Sequence, residues 1–313
     1  MNTQTDYNQS RSERIARVSE LPFIDASKSR GFVTGTAHSL IEIWSRRELI
    51  SRLVRREIKA RYKDSKLGVV WSLFRPLLQL VIYFFAIGQI LGAARAVPDF
   101  AIFVFVGLTM WTLYAEIISG GARSIIDNAG LVKKVYLPRE IFPLASIGSA
   151  LFNFVIQLGV LLLAIAILSH YRLSPDLLLA PLALLTILTF GAAIGILVSA
   201  INVYLRDVQH FIEIYLIAFF WASPIVYPFT FVHKQVGSGL LEELYLASPI
   251  TLSIIGAQKA LWSVGTEAVG KTAQYWPDGL GLRLIVAFAV SLVLLWISQR
   301  IFAKLQGNFA QEL

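Results

Sequence analysis

Six stretches of the chain stay apolar for the length of a membrane crossing, at about 69–92, 101–120, 141–168, 177–202, 211–230 and 282–303. A helix needs roughly 20 such residues to cross the hydrocarbon core. Lipid supplies no hydrogen bonds, so the backbone inside it has to satisfy itself and the pattern predicts helices. A further apolar run, 244–263, is interrupted by Pro249, Gln258 and Lys259, and a crossing there would move Arg300 and Lys304 to the other side. It reads better as part of two half-helices, about 231–246 and 249–263, dipping in from the outer face. Before the first span, Leu40, Ile43, Ile50, Val54 and Ile58 form one stripe at helical spacing, with Arg52, Arg56, Lys59 and Lys63 opposite. That predicts an amphipathic helix over 41–66, lying in the headgroup plane. A basic face packed on a soluble partner is the competing reading. Arg47 and Arg61 fall on the apolar stripe and are expected to snorkel. Residues 1–40 are polar and aperiodic, and are expected to form a disordered cytoplasmic tail.

Charge sets the orientation. One side of the six-span pattern carries 14 Lys and Arg before the first span, four in 121–140 (Arg123, Lys133, Lys134, Arg139), Arg206, then Arg300 and Lys304. The other side carries Arg95, Arg172, Lys234, Lys259 and Lys271, diluted by Glu242, Glu243, Glu267 and Asp278. The positive-inside rule then puts both termini in the cytoplasm. Composition agrees, with 56% hydrophobic and 15% charged residues against about 25% charged in soluble chains. The expected fold is an all-α integral membrane domain over 67–313. A net charge of +8 suggests nucleic acid in a soluble chain; here it lies where anionic headgroups are, and no nucleic-acid partner is expected. The absence of cysteine rules out disulfides and thiolate chemistry. His38, His170, His210 and His233 are scattered, so no metal site is expected.

Two motifs mislead. Residues 265–272, GTEAVGKT, match the phosphate-binding loop in letters. Such a loop needs a strand before it and a helix after it, so that a helix N-terminus cradles the phosphates. Here Pro277 and two glycines follow, no Asp lies beyond Asp278, and the topology puts the loop outside the cell. Ser119-Gly120-Gly121 echoes the signature loop of ABC ATPases but precedes the phosphate-loop match, the reverse of the order in those enzymes; small residues there suit close helix packing. ATP-driven transport would thus need its motor in a separate chain. Within 121–138, Ile125, Ala129, Val132 and Tyr136 recur at helical spacing up to Pro138, with Asn128, Lys133 and Lys134 interleaved. This predicts a short helix flat on the inner face, either a ridge for a soluble partner or a plain anchor. Glu116 is expected to snorkel or pair with Arg123, and Gln79, Asn153 and Gln157 to bond between helices. Pro224 and Pro228 are expected to kink the fifth span.

The stretch 55–76, RREIKARYKDSKLGVVWSLFRP, carries Arg56, Lys59, Arg61, Tyr62, Ser65, Leu67, Gly68, Trp71 and Pro76. In these positions it resembles the N-terminal block of the membrane subunit of ABC exporters for lipid-linked polysaccharides (O antigen, teichoic acid, capsule, cell-wall galactan). NAGLVKKVYLPRE at 128–140 is similar to the family's coupling-helix region. Arg206-Asp207-Val208, Ser223-Pro224 with Tyr227, and the ending Phe309-Ala310-Gln311-Glu312-Leu313 also match. The resemblance covers about 40–313. It implies a permease of the bacterial cytoplasmic membrane without chemistry of its own: a homodimer with its channel between subunits, and two soluble ABC ATPase subunits that bind ATP and Mg. It further implies ATPase coupling at Asn128, Leu131, Val132, Lys133, Lys134, Tyr136, Arg206 and Asp207, and a lipid pyrophosphate guided by Arg56, Lys59, Arg61, Tyr62 and Lys63. The outer half-helices would gate the exit. Sugars pack C–H faces on aromatic rings, so Trp71, Tyr83, Trp111, Tyr114, Phe220, Trp221 and Tyr227 are channel-lining candidates; membrane anchoring suits the same residue types. The chain has Ser248-Pro249 where many relatives have Asn-Pro, which bears on the outer gate. Export of a drug or small lipid is an alternative. So are an ion-coupled secondary transporter, whose mid-membrane acids and repeated broken helices are not evident, and a transferase acting on lipid-linked sugar.

Overall fold

The computed structural model of the chain describes residues 34–62, 70–135, 137–168, 174–262 and 275–313. All regular structure among them is helical. Two helices precede the spans: α1, Thr34–Ser45, and α2, Arg47–Tyr62. The amphipathic region thus begins inside the stretch expected to be tail, and Arg46 breaks it in two. Then come α3, Val70–Tyr83, which widens into a π-helix over Phe84–Ile90; α4, Ala93–Ala96; and α5, Phe100–Ser124. The short α6, Ala129–Lys134, leads to α7, Ile141–Leu168, and a 3-10 turn, Pro175–Leu178, leads to α8, Leu179–Tyr204. After α9, Val208–Ala222, come three short helices: α10, Phe229–Val236; α11, Leu240–Leu246; and α12, Pro249–Leu261. The last span is α13, Leu280–Leu305, followed by α14, Phe309–Glu312.

Five of these segments are long and apolar enough to cross a membrane: Leu73–Ile90, Phe100–Ser124, Ile141–Leu168, Pro175–Tyr204 and Leu280–Glu312. The central one is α5, whose apolar window is 78% buried, against 11% for α3, which forms a flank. Few polar residues interrupt α5 before Glu116, so packing helices can cover it on all sides. Backbones meet where α5 crosses α8: a Cβ on Gly121 would stand 2.9 Å from the Gly195 carbonyl oxygen.

The fifth span departs from expectation. The sequence predicts a kinked helix over 211–230; the helix instead stops at Ala222, after 15 residues. Pro224 has no N–H to continue the ladder, and it drives Ser223 to extended backbone (φ −94°, ψ 148°). Two freed carbonyls find partners. The Tyr227 hydroxyl donates to Trp221 O at 2.7 Å, and Gln258 Nε2 donates to Pro224 O at 2.8 Å.

The two expected half-helices are three. Gly237, at φ +72°, ends α10, and α11 meets α12 at 81°. Ser248 caps α12 through its hydroxyl, with Pro249 in the first turn. Serine serves that position as asparagine would. Contacts tie α10–α12 to the same end of the bundle as the start of α13. Arg283 bonds Glu243 through both terminal nitrogens at 2.7 Å, and Tyr275 N donates to Thr230 Oγ1 at 3.0 Å. Trp262 Nε1 donates to Pro98 O at 2.8 Å. The 229–262 stretch therefore begins and ends at the same end of the bundle.

Candidate functional site

The described coupling and headgroup candidates gather at one end, termed here the basic end. It holds α2, the turn after α5, α6, the start of α7, the α8–α9 turn and α14. On α2 the apolar stripe packs against α7, where a Cβ on Gly148 would stand 2.6 Å from Val54 Cγ2. Leu53, Ile125, Val132, Ile141 and Phe142 share one buried cluster with Phe302 and Phe309.

Two of the arginines expected to hold a headgroup are engaged within the protein. The Arg56 guanidinium donates to Asn128 Oδ1. Arg61 Nη1 lies 3.4 Å from Glu116 Oε2, which also accepts from Asn153 Nδ2 at 2.7 Å. Glu116 is thus paired with Arg61 and Asn153, and the expected partner Arg123 lies exposed. The two sit seven residues apart on α5, about 10 Å along the helix axis, too far for direct contact. Arg61 pairs with Glu116 while its side chain stays 45% exposed, and Arg47 lies 5.8 Å over the Trp44 ring. Lys59, Arg52 and Arg55 are exposed, as are Arg56 and Arg61 despite their partners. Burial pushes the Glu57 carboxyl above its ordinary pKa; Arg56 and Arg61 pull it down and Asp127 raises it further. Lys63 and the side chain of Tyr62 lie outside the described residues.

Asn128 is buried, and its Nδ2 donates to Ser124 O at 2.8 Å. Val132 is buried and Leu131 packs beside it, while Lys133 and Lys134 point outward. Tyr136 lies outside the described residues. The α8–α9 turn exposes Arg206 and Asp207. Asn202, fully buried, donates to Ala122 O at 2.7 Å and locks α8 to the end of α5.

Sequence reasoning missed the other supports of this end. Phe309 is fully buried, edge-on to Phe302 and Tyr204 at 5.5 and 6.0 Å, with the Arg139 guanidinium 5.8 Å over its ring. The Tyr204 hydroxyl donates to Leu305 O at 2.7 Å. Glu140, 5% exposed, accepts from Gln299 Nε2 at 2.8 Å. Arg300 then bonds Gln299 Oε1 at 2.7 Å and reaches Ser39 at 3.5 Å, tying α1 into the network. Burial raises the Glu140 carboxyl pKa, opposed by the Gln299 hydrogen bond and Arg300. The only sequence signal for Phe309 was its place in the family ending.

Five of the seven candidate aromatics form one chain of rings. Tyr83 stacks on Phe220 at 5.8 Å and meets Trp221 at 6.5 Å; Phe220 meets Trp111 at 5.6 Å, and Trp111 meets Tyr114 at 5.7 Å. Trp111, Tyr114 and Phe220 are buried within the protomer, Tyr114 donating or accepting at Tyr215 Oη at 2.6 Å. Trp221 and Trp71 are exposed, Trp71 lying apart against Phe74. Tyr227 is half-buried at the break after α9. In the membrane interior, Gln157 is buried and its Oε1 has no hydrogen-bond partner.

The opposite end carries a second polar group of residues. Glu242 is buried with both oxygens 3.2 Å from His233 Nδ1. The His233 ring stacks on Tyr275 at 3.7 Å, and Phe229 stacks on Tyr245 and Tyr275 at 6.0 Å. Among the described residues no three His, Cys, Asp or Glu side chains converge as metal ligands. The 265–272 loop lies outside the described residues.

Residues 48–262 match the family described as ABC-2 type transporter. The chain is 30% identical over 272 residues to an O-antigen export system permease protein, RfbA, of Myxococcus xanthus, covering 87% of this chain and 98% of that one. It is 28% identical to a Klebsiella pneumoniae protein of the same name over 183 residues, 58% of this chain and 69% of that one. It is also 27% identical to the polysialic acid transport protein KpsM of Escherichia coli over 200 residues, 61% of this chain and 74% of that one. The chain is a multi-pass membrane protein and belongs to the ABC-2 type transporter family.

Proposed function

We propose that this chain is the membrane subunit of an ATP-driven exporter for a polysaccharide carried on a polyprenyl-pyrophosphate lipid. It works as a dimer in the bacterial cytoplasmic membrane, with both termini cytoplasmic and two separate ATPase subunits below. The observation that carries this reading is the alignment, nearly end to end, with a relative named as an O-antigen export permease. The basic end supports it: α6 turns Leu131 and Val132 inward and Lys133 and Lys134 outward, a backed ridge against which a soluble protein can push. The exposed cations Arg52, Arg55 and Lys59 suit an anionic headgroup, each worth about 1 kcal/mol near such a surface. The flank made by α3 and α9 presents Trp71, Phe74, Phe211 and Trp221. There a second copy completes a channel, with the buried Trp111, Tyr114 and Phe220 backing its wall.

The test is co-purification and ATP turnover with the cognate ATPase. Lys133→Glu together with Lys134→Glu is expected to dissociate the ATPase or abolish substrate-stimulated hydrolysis. Unchanged coupled turnover would contradict the docking role of α6.

A further inference from the structure

Arg56 belongs to the basic stripe of α2, yet its guanidinium leaves the stripe for Asn128. Asn128 is the residue that opens α6, and its amide also holds Ser124 O at the last turn of α5. One buried side chain therefore joins α5, α6 and α2. Two further observations place the same elements in one body. Leu53 of α2 shares a buried cluster with Ile125 and Val132 on either side of Asn128. At the far end of α2, Arg61 reaches Glu116 of α5. A charge-assisted hydrogen bond to a buried amide is directional, and its loss leaves Asn128 unsatisfied.

We infer that Arg56 and Asn128 form a mechanical link that delivers displacement of the 125–134 segment to α2, so that the ATPase-facing ridge and the basic membrane-surface helix move as one lever. Arg56 is thus a positioning residue, and the headgroup is met by Arg52, Arg55 and Lys59. The lever rests on the proposed function for what pushes it; the link itself does not.

Two measurements on the full chain test it. In nanodiscs without any ATPase, Asn128→Ala is expected to speed amide exchange across Arg47–Tyr62, and Arg56→Gln across 125–134. Each gain is expected to be about tenfold, the size of one charge-assisted hydrogen bond. No reciprocal change would overturn the link. In vesicles with the cognate ATPase, Arg56→Gln and Asn128→Ala are each expected to lower the maximal export rate about tenfold, with the double variant no worse than either and Asn128→Asp retaining the rate. Lys59→Gln is expected to raise KM instead. Additive losses, or a KM effect from Arg56→Gln like that of Lys59→Gln, would overturn the lever. Reciprocal exchange alongside a wild-type complex that moves no glycan would sink the transport reading and leave the link standing.

Discussion

At the basic end, buried amides and long side chains tie consecutive helices together: Asn128 to Ser124 and Arg56, Asn202 to Ala122, Gln299 to Glu140. Phe309 fills the remaining space. At the opposite end the chain is cut into short pieces by Pro224, Gly237 and the 81° bend before Pro249. Those pieces are held by ring stacking, by two carboxylate pairs, Glu242–His233 and Glu243–Arg283, and by the Gln258–Pro224 and Trp262–Pro98 hydrogen bonds. Long helices joined by buried amides move as units, whereas short helices separated by breaks can shift at those breaks. The difference suits a transporter that receives force at one end and yields at the other.

The comparison is most exposed to loss of its cornerstone. Phe309→Ala is expected to destabilise the protein by about 3–5 kcal/mol, as for other fully packed phenylalanines. Thermal melting in detergent reads this out, and a shift confined to the opposite end would break the contrast. Gly237→Ala is expected to act locally. With φ at +72° and nothing within 4 Å of the added Cβ, only the backbone objects, at about 1–3 kcal/mol. Faster amide exchange should appear in Phe229–Leu246 while the basic end is unchanged; a global loss would show that α10 and α11 are structural props. The smallest effect concerns Glu140. Its raised pKa means that the folded chain holds this proton more tightly than the unfolded one, so its contribution falls as pH rises from the ordinary carboxylate range through the raised value. Glu140→Gln should remove that fall between the ordinary and the raised value, and an unaltered slope there would refute the buried-carboxylate account.

Much of the fold was legible because hydropathy and loop charge are local signals: the spans alternate between ends as Arg123, Lys133, Arg206 and Lys304 require. The amphipathic helix and the short helix within 121–138 were likewise readable from spacing. The break of the fifth span was only half legible. Pro224 marked the place, but whether a membrane helix bends or stops depends on partners for the freed carbonyls, and Gln258 lies 34 residues away. The pairings of the site were not legible. Arg56–Asn128 spans 72 positions and Arg61–Glu116 spans 55, and periodicity says nothing about which arginine on a basic face finds a partner within the protein. The sequence therefore grouped Arg56 and Arg61 with Lys59 as headgroup residues, although the structure gives the first two protein partners.

The central claim is that this chain conducts and a separate protein supplies the power. Sealed vesicles containing the chain alone or with its ATPase, loaded with a lipid-linked glycan and ATP, measure it most directly. The account predicts hydrolysis and glycan appearance on the far side only when both proteins are present, with Lys271→Ala behaving as wild type. ATP turnover by the isolated chain, or its loss in Lys271→Ala, would contradict it.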